Sequence, residues 1–122
     1  MTRVVALVPD LLFGSQVQGQ LIVAGHEVEL VGDAQLARER LTEADLLVVD
    51  LTNPDLDGAA LVREWSEEGV LKAVSTLGFY AHVDPAVRER ALAAGFDQVV
   101  PRSRMAREGA ELVTRLALDK PV

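Results

Sequence analysis

Asp45-Leu46-Leu47-Val48-Val49-Asp50, followed by Leu51-Thr52-Asn53-Pro54, is the stretch on which the fold of this chain turns. Four successive apolar residues leave no polar face, so the run predicts a strand buried on both sides, as at the centre of a parallel sheet. Asp50 and the Asn53-Pro54 pair then end it in a turn. Similar short runs predict strands over Arg3 to Val8, Glu27 to Val31, about Lys72 to Phe79, and Gln98 to Pro101. Between the first two, Phe13, Val17, Leu21 and Ala24 form one helical stripe, and Gly25 stands where a left-handed cap belongs. Asp33 reads as the N-cap of a second helix through Ala34, Ala37 and Leu41. A third helix follows Gly58, with Leu61, Val62 and Trp65 inward and Gly69 as its stop. Asp84 and Pro85 open a fourth, with Val87, Ala91 and Ala94 inward and Gly95 ending it. Ser103 reads as the cap of the fifth, whose inward residues are Met105, Leu112, Val113 and Leu116. Strict alternation of strand and helix predicts a doubly wound α/β domain, because parallel neighbours need crossover helices and right-handed crossovers cover both faces.

Composition narrows the function. A chain of 122 residues with 49% hydrophobic and 25% charged residues has the size and balance of a single folded domain, residues 1–122, with no output domain expected in it. No apolar run approaches the roughly 20 residues of a membrane span. Met1-Thr2-Arg3 leads directly into the first strand without a secretory leader, which points to the cytoplasm. The absence of cysteine removes disulfides, thiolate metal sites and cysteine nucleophiles. Twelve basic against nineteen acidic residues give a formal charge of −7, the wrong sign for direct nucleic-acid binding.

In open α/β sheets chemistry gathers beyond the carboxyl ends of the strands, at the switch point, which for the order 2-1-3-4-5 lies between the first and third strands. Asp10 follows the first strand and Asp50 ends the third, so two carboxylates belong to one edge. Asp50 has two readings from the residues alone: a chemical group at that edge, or a carboxylate accepting backbone N–H bonds in its own turn.

Asp50-Leu51-Thr52-Asn53-Pro54-Asp55-Leu56-Asp57-Gly58 resembles the Asp-x-x-x-Pro-x-x-Asp-Gly segment of response-regulator receiver domains, and Gly95-Phe96-Asp97 resembles their Gly-Ala-Asp turn. The resemblance implies the flavodoxin-like receiver fold of the chemotaxis regulators, with a five-stranded parallel sheet in the order 2-1-3-4-5. It makes Asp50 the acceptor of a phosphoryl group from a histidine kinase or phosphotransfer protein. It also implies Mg²⁺, held by Asp10, Asp50 and the backbone carbonyl of Thr52, to neutralise charge during in-line displacement. Pro9 stands where the family has a first acid, so metal binding is expected to be weak or lost. Tyr80 falls on the family's Ser or Thr after the fourth strand, and Arg102 on its Lys. Tyr80 reads either as an altered phosphoryl contact or as a packing residue. Arg102 reads either as a latch on Asp50 or as a solvated charge. His82, two residues past Tyr80, is a third candidate contact, though a lone loop histidine is more often only polar surface.

Two functions follow. One is an atypical two-component signalling receiver that works through protein contacts and is not an enzyme beyond slow self-phosphorylation and dephosphorylation at Asp50. The alternative is a pseudo-receiver, a module that binds partners without phosphorylation. A flavodoxin-like small-molecule enzyme is a weaker third reading, since neither Gly-x-Gly-x-x-Gly nor Gly-x-x-x-x-Gly-Lys occurs. The output partner is not readable. The surface of the fourth helix, fifth strand and fifth helix, with Arg88, Glu89, Arg104 and Arg107, is the face the resemblance offers for an output protein or a homodimer.

Overall fold

Residues 2–81 and 85–119 are described by the computed structural model. In chain order they form β1 (Arg3–Leu7), α1 (Leu11–Val23), β2 (Glu27–Val31), α2 (Ala34–Arg40), a 3-10 turn (Leu41–Glu43), β3 (Leu46–Asp50), α3 (Gly58–Glu68), β4 (Ser75–Tyr80), α4 (Pro85–Ala94), β5 (Gln98–Pro101) and α5 (Arg102–Asp119). The strands make one parallel sheet in the order β2-β1-β3-β4-β5, as expected from the alternation and the resemblance. Among the described residues no helix is long and apolar enough to cross a membrane.

Alternation along the strands divides the core in two. Val4, Ala6, Val8, Leu46, Val48, Leu77 and Phe79 face α1 and α5, where Phe13, Val17, Leu21, Met105, Leu112 and Val113 meet them. Val5, Leu7, Leu47, Val49 and Tyr80 face α2, α3 and α4, against Ala37, Val62, Trp65 and Ala91. Every residue of β3 is buried, which agrees with its unbroken apolar run.

Gly25, Gly69 and Gly95 each adopt positive φ at or just past the end of a helix, the left-handed backbone that glycine enters without a Cβ clash. Asp33 caps α2 through the Leu36 N–H as expected. Three expectations need correction. Ala24 is exposed at the C-cap of α1 and does not continue its buried stripe. β4 starts at Ser75 rather than near Lys72, because Lys72 and Ala73 lie in the preceding turn. Ser103 lies inside α5 and does not cap it, since the helix starts one residue earlier at Arg102. The expected cap Asp84 lies outside the described residues.

The turn Gly95-Phe96-Asp97 is a fastening between α4 and β5. The Thr76 N–H donates to Asp97 Oδ2 at 2.8 Å, and the Asp97 N–H donates to Thr76 Oγ1 at 2.9 Å. On the other side of the sheet, Gln20 joins α1 to α5. Its amide donates to the carbonyl oxygens of Ala106 at 3.2 Å and Met105 at 3.4 Å, and its oxygen accepts the Ala110 N–H at 2.8 Å. Ala106 and Ala110 are the two ends of one rung of the helical ladder, so the side chain inserts at that rung. Gly109 leaves the space, since a Cβ there would stand 3.2 Å from Gln20 Oε1.

Candidate functional site

β3 ends at Asp50, which pairs in register with Phe79 and is 2% exposed. A buried carboxylate needs hydrogen-bond partners. Thr52 supplies two of them, its N–H at 2.7 Å and its hydroxyl at 2.5 Å, both to Oδ1. The turn reading of Asp50 is therefore realised, with Thr52 bonding it through both its N–H and its side chain. Among the described residues none donates to Oδ2 and no buried side-chain oxygen lacks a partner, so Oδ2 is the oxygen left open to solvent.

Asp10 stands at the head of α1, beyond the end of neighbouring β1. Its extended backbone and short side chain make it the N-cap, with Oδ1 accepting the N–H groups of Leu12 at 3.0 Å and Phe13 at 3.2 Å. Its other oxygen, Oδ2, accepts from Arg102 Nη2 at 3.2 Å. The Phe13 N–H bond chiefly, with the Arg102 contact and the Leu12 N–H, holds the Asp10 carboxyl below its ordinary value against an opposing desolvation penalty. The Arg102 guanidinium also lies 4.1 Å from the centre of the Phe13 ring, a cation–π arrangement. Phe13 in turn meets Phe79, with ring centres 5.1 Å apart. The expected latch of Arg102 on Asp50 is thus corrected: the recorded contacts of Arg102 are with Asp10 and Phe13.

Tyr80 is 7% exposed and belongs to the apolar cluster facing α3 and α4. By strand alternation Asp50 shares the side of Leu46 and Val48, facing α1 and α5. Tyr80 is therefore a packing residue on the opposite face of the sheet. His82 lies outside the described residues.

Sequence reasoning missed one strong pair. Asp57 caps α3 by accepting the Ala60 N–H at 3.1 Å, and Arg90 of α4 grips both of its oxygens at 2.9 and 2.8 Å. Arg90 chiefly, and the Ala60 N–H second, hold the Asp57 carboxyl below its ordinary value. The signal was in the acid of the Asp57-Gly58 motif, but its basic partner, 33 residues away, carries no local mark. A depressed carboxyl pKa stabilises the fold above the ordinary value of 3.8 and ceases to do so as pH falls through the lowered one. Arg90→Gln is accordingly expected to destabilise the fold only slightly near neutrality, the pair being more than half exposed and screened. The difference from wild type should close in urea melts taken well below pH 3.8.

Asp10, Asp50 and the Thr52 carbonyl are oxygen donors of the kind Mg²⁺ takes, and one or two carboxylates suffice for it. Here Asp10 is already committed to α1 and Arg102, and among the described residues no three carboxylate or imidazole groups converge. The donor set fits Mg²⁺ in chemistry, but the cation must compete with a guanidinium.

No protein-family model matches the chain. It is 35% identical over 79 residues to the virulence transcriptional regulatory protein PhoP of Salmonella typhimurium, covering 63% of this chain and 35% of that protein. It is 31% identical over 77 residues to the transcriptional regulatory protein QseB of Escherichia coli O157:H7, covering 62% and 35%. The chain thus spans about a third of the length of these relatives. Among solved structures it superposes on the signal receiver domain of NarL from Mycobacterium tuberculosis with a TM-score of 0.80 and 25% identity, covering 98% of both chains. The chemotaxis response regulator CheY4 of Vibrio cholerae gives 0.81 at 20% identity, covering 95% of this chain and 98% of the other, a likeness of fold.

Proposed function

Since this chain is a response-regulator receiver domain, we propose that it is an atypical one, taking a phosphoryl group on Asp50 and signalling through protein contacts. The single observation that carries the reading is Asp50 itself. It ends the central strand with Oδ1 tied to Thr52 and Oδ2 left open, on the edge that also bears Asp10 and Arg102. In the reaction Asp50 Oδ2 attacks phosphorus and forms the new O–P bond, while the bond from phosphorus to the donor breaks and the donor group leaves with its electron pair. Thr52 holds the other carboxylate oxygen in place, so the nucleophile enters the reaction already oriented. Mg²⁺, when bound, supplies positive charge to the phosphoryl oxygens. With Pro9 in place of an acid, Tyr80 turned into the core and Arg102 committed to Asp10, the transfer is slow. The donor is a histidine kinase or phosphotransfer protein, and the output is a second protein, not DNA directly. The α4, β5 and α5 surface, where Arg104 and Arg107 approach Glu108, is the proposed output face.

The pairing of Arg102 with Asp10 rather than Asp50 favours a second reading, a module that binds its partner without phosphorylation. Intact mass and amide NMR with a small phosphodonor, and with beryllofluoride, separate the two. On the first reading wild type gains one phosphoryl mass and Asp50→Asn gains none, with shifts reaching α5 on beryllofluoride addition. If wild type behaves as Asp50→Asn does, phosphorylation is not part of its function and the second reading stands.

A further inference from the structure

Asp57-Gly58 is the only Asp-Gly pair in the chain, and Asn53, its only asparagine, is followed by Pro54, which has no N–H. An aspartate before glycine is the pair most open to attack on its own side chain, because the next amide nitrogen has no Cβ beside it to crowd the approach. Asp57 also has water at hand, its side chain being 54% exposed. Neither residue of the pair can be exchanged freely. A Cβ at Gly58 would stand 2.6 Å from Val49 Cγ1, and the Asp57 carboxylate caps α3 by accepting the Ala60 N–H at 3.1 Å. The fold thus keeps a reactive pair at the head of α3, and protection has to come from a third residue.

Arg90 is placed to give it. Its Nη1 and Nη2 donate to Oδ1 and Oδ2 of Asp57 at 2.9 and 2.8 Å, so both oxygens are held, and Oδ1 also accepts the Ala60 N–H. We propose that Asp57-Gly58 is a self-modification site, where the Gly58 nitrogen closes on Asp57 Cγ to form a succinimide, and that Arg90 holds it shut. For the ring to form, one carboxyl oxygen first takes a proton from solvent. The N–Cγ bond then forms while that hydroxyl departs, joining the Gly58 amide proton as water. Water next opens the ring at the main-chain carbonyl carbon of Asp57, giving an isoaspartyl link, or at Cγ, restoring aspartate. No oxidant or cofactor enters. Arg90 opposes the steps before closure. A fixed cation beside the carboxylate disfavours its protonation, in keeping with the depressed Asp57 carboxyl. The planar ring also eclipses Cγ with the main-chain carbonyl carbon about Cα–Cβ, a torsion between the staggered wells, so the carboxyl must first turn out of the guanidinium fork. The Gly58 N–H is itself engaged, donating to the Leu56 carbonyl oxygen at 3.1 Å. An isoaspartyl link routes the main chain through Cβ, which lengthens it where α3 sits on the end of β3 and removes the α3 cap.

Incubating the folded chain for weeks at neutral pH and body temperature, then digesting it with trypsin and mapping the peptides by electron-transfer fragmentation, tests this. Methyl transfer from S-adenosylmethionine by an isoaspartyl methyltransferase counts the same link independently. In wild type the link should accumulate slowly and at Asp57 alone. Arg90→Gln should raise its rate about fivefold, the upper end of what an exposed pair of this kind withholds. Arg90→Lys, which keeps the charge but not the fork, should fall between the two, and it carries the test alone if urea melts show Arg90→Gln unfolded. Arg38→Gln, which removes the comparable Arg38–Glu68 pair between α2 and α3, should match wild type. Asp57→Ser, which keeps a capping oxygen, should give no product. Equal rates in wild type and the Arg90 variants overturn the proposal, as does product centred on Asp45, Asp50 or Asp55. A rise in Arg38→Gln as large as that in Arg90→Gln assigns the effect to general loosening and overturns it too.

Discussion

Phe79→Ala is expected to lower the unfolding free energy by about 3–5 kcal/mol, read from urea or guanidinium melts by circular dichroism. Phe79 is wholly buried on the central pair of strands, in register with Asp50. Removing the ring loses its transfer free energy and leaves a cavity that β-strand neighbours cannot collapse into. It also loses the tilted contact with Phe13, which is worth roughly 0.5–1.5 kcal/mol beyond burial. The effect does not stop at stability. Phe13 is the floor on which Arg102 rests, so a loosened Phe13 ring frees the guanidinium from its 4.1 Å seat. The Arg102 Nε–H resonance should broaden in the variant, while Phe79→Leu, which refills most of the volume, should restore much of the stability.

Gly58→Val is expected to cost about 3 kcal/mol by overpacking. A Cβ at Gly58 would stand 2.6 Å from Val49 Cγ1 and 2.9 Å from Leu51 Cδ2. Val49 is fully buried and stiff about χ1, so it cannot yield as the end of a long side chain could. The glycine of the Asp57-Gly58 motif therefore lets the start of α3 sit directly on the end of β3, next to Asp50. Displacing that start should move the amide resonances of the Asp50 to Asp57 loop as well as lower the melt. Gly19→Ala supplies the contrast: its Cβ has open space, and the helix should gain about 0.5–1 kcal/mol.

The strands were legible because the information was local or general, while their order came only with the family resemblance. Leu46 to Val49 announces a central strand by having no polar face, and the alternation with helices restricts the topology to a doubly wound sheet. Helix ends were legible wherever one residue decides them, as at Asp33, Gly25, Gly69 and Gly95. Ser103 misled because the helix needs no side-chain cap where β5 runs straight into it at Arg102. At the site, Asp50 and Asp10 were placed at one edge by chain order alone. The partner of Arg102 was not readable, since Asp10 and Asp50 lie on the same edge and only geometry chooses between them. Tyr80 was decided by strand parity, which a single-residue uncertainty in register inverts. The grip of Arg90 on Asp57 joins two helices across a loop, and no periodicity records such a pair.

The amide of Gln20 takes hold of α5 at both ends of one backbone rung, so α5 cannot slide or tilt along α1 without giving up those hydrogen bonds. The two helices thus travel as one slab on their side of the sheet. Because Asp10 heads α1 and Arg102 begins α5, the side chains of the exposed ion pair stand on two helices whose relative position that one amide fixes.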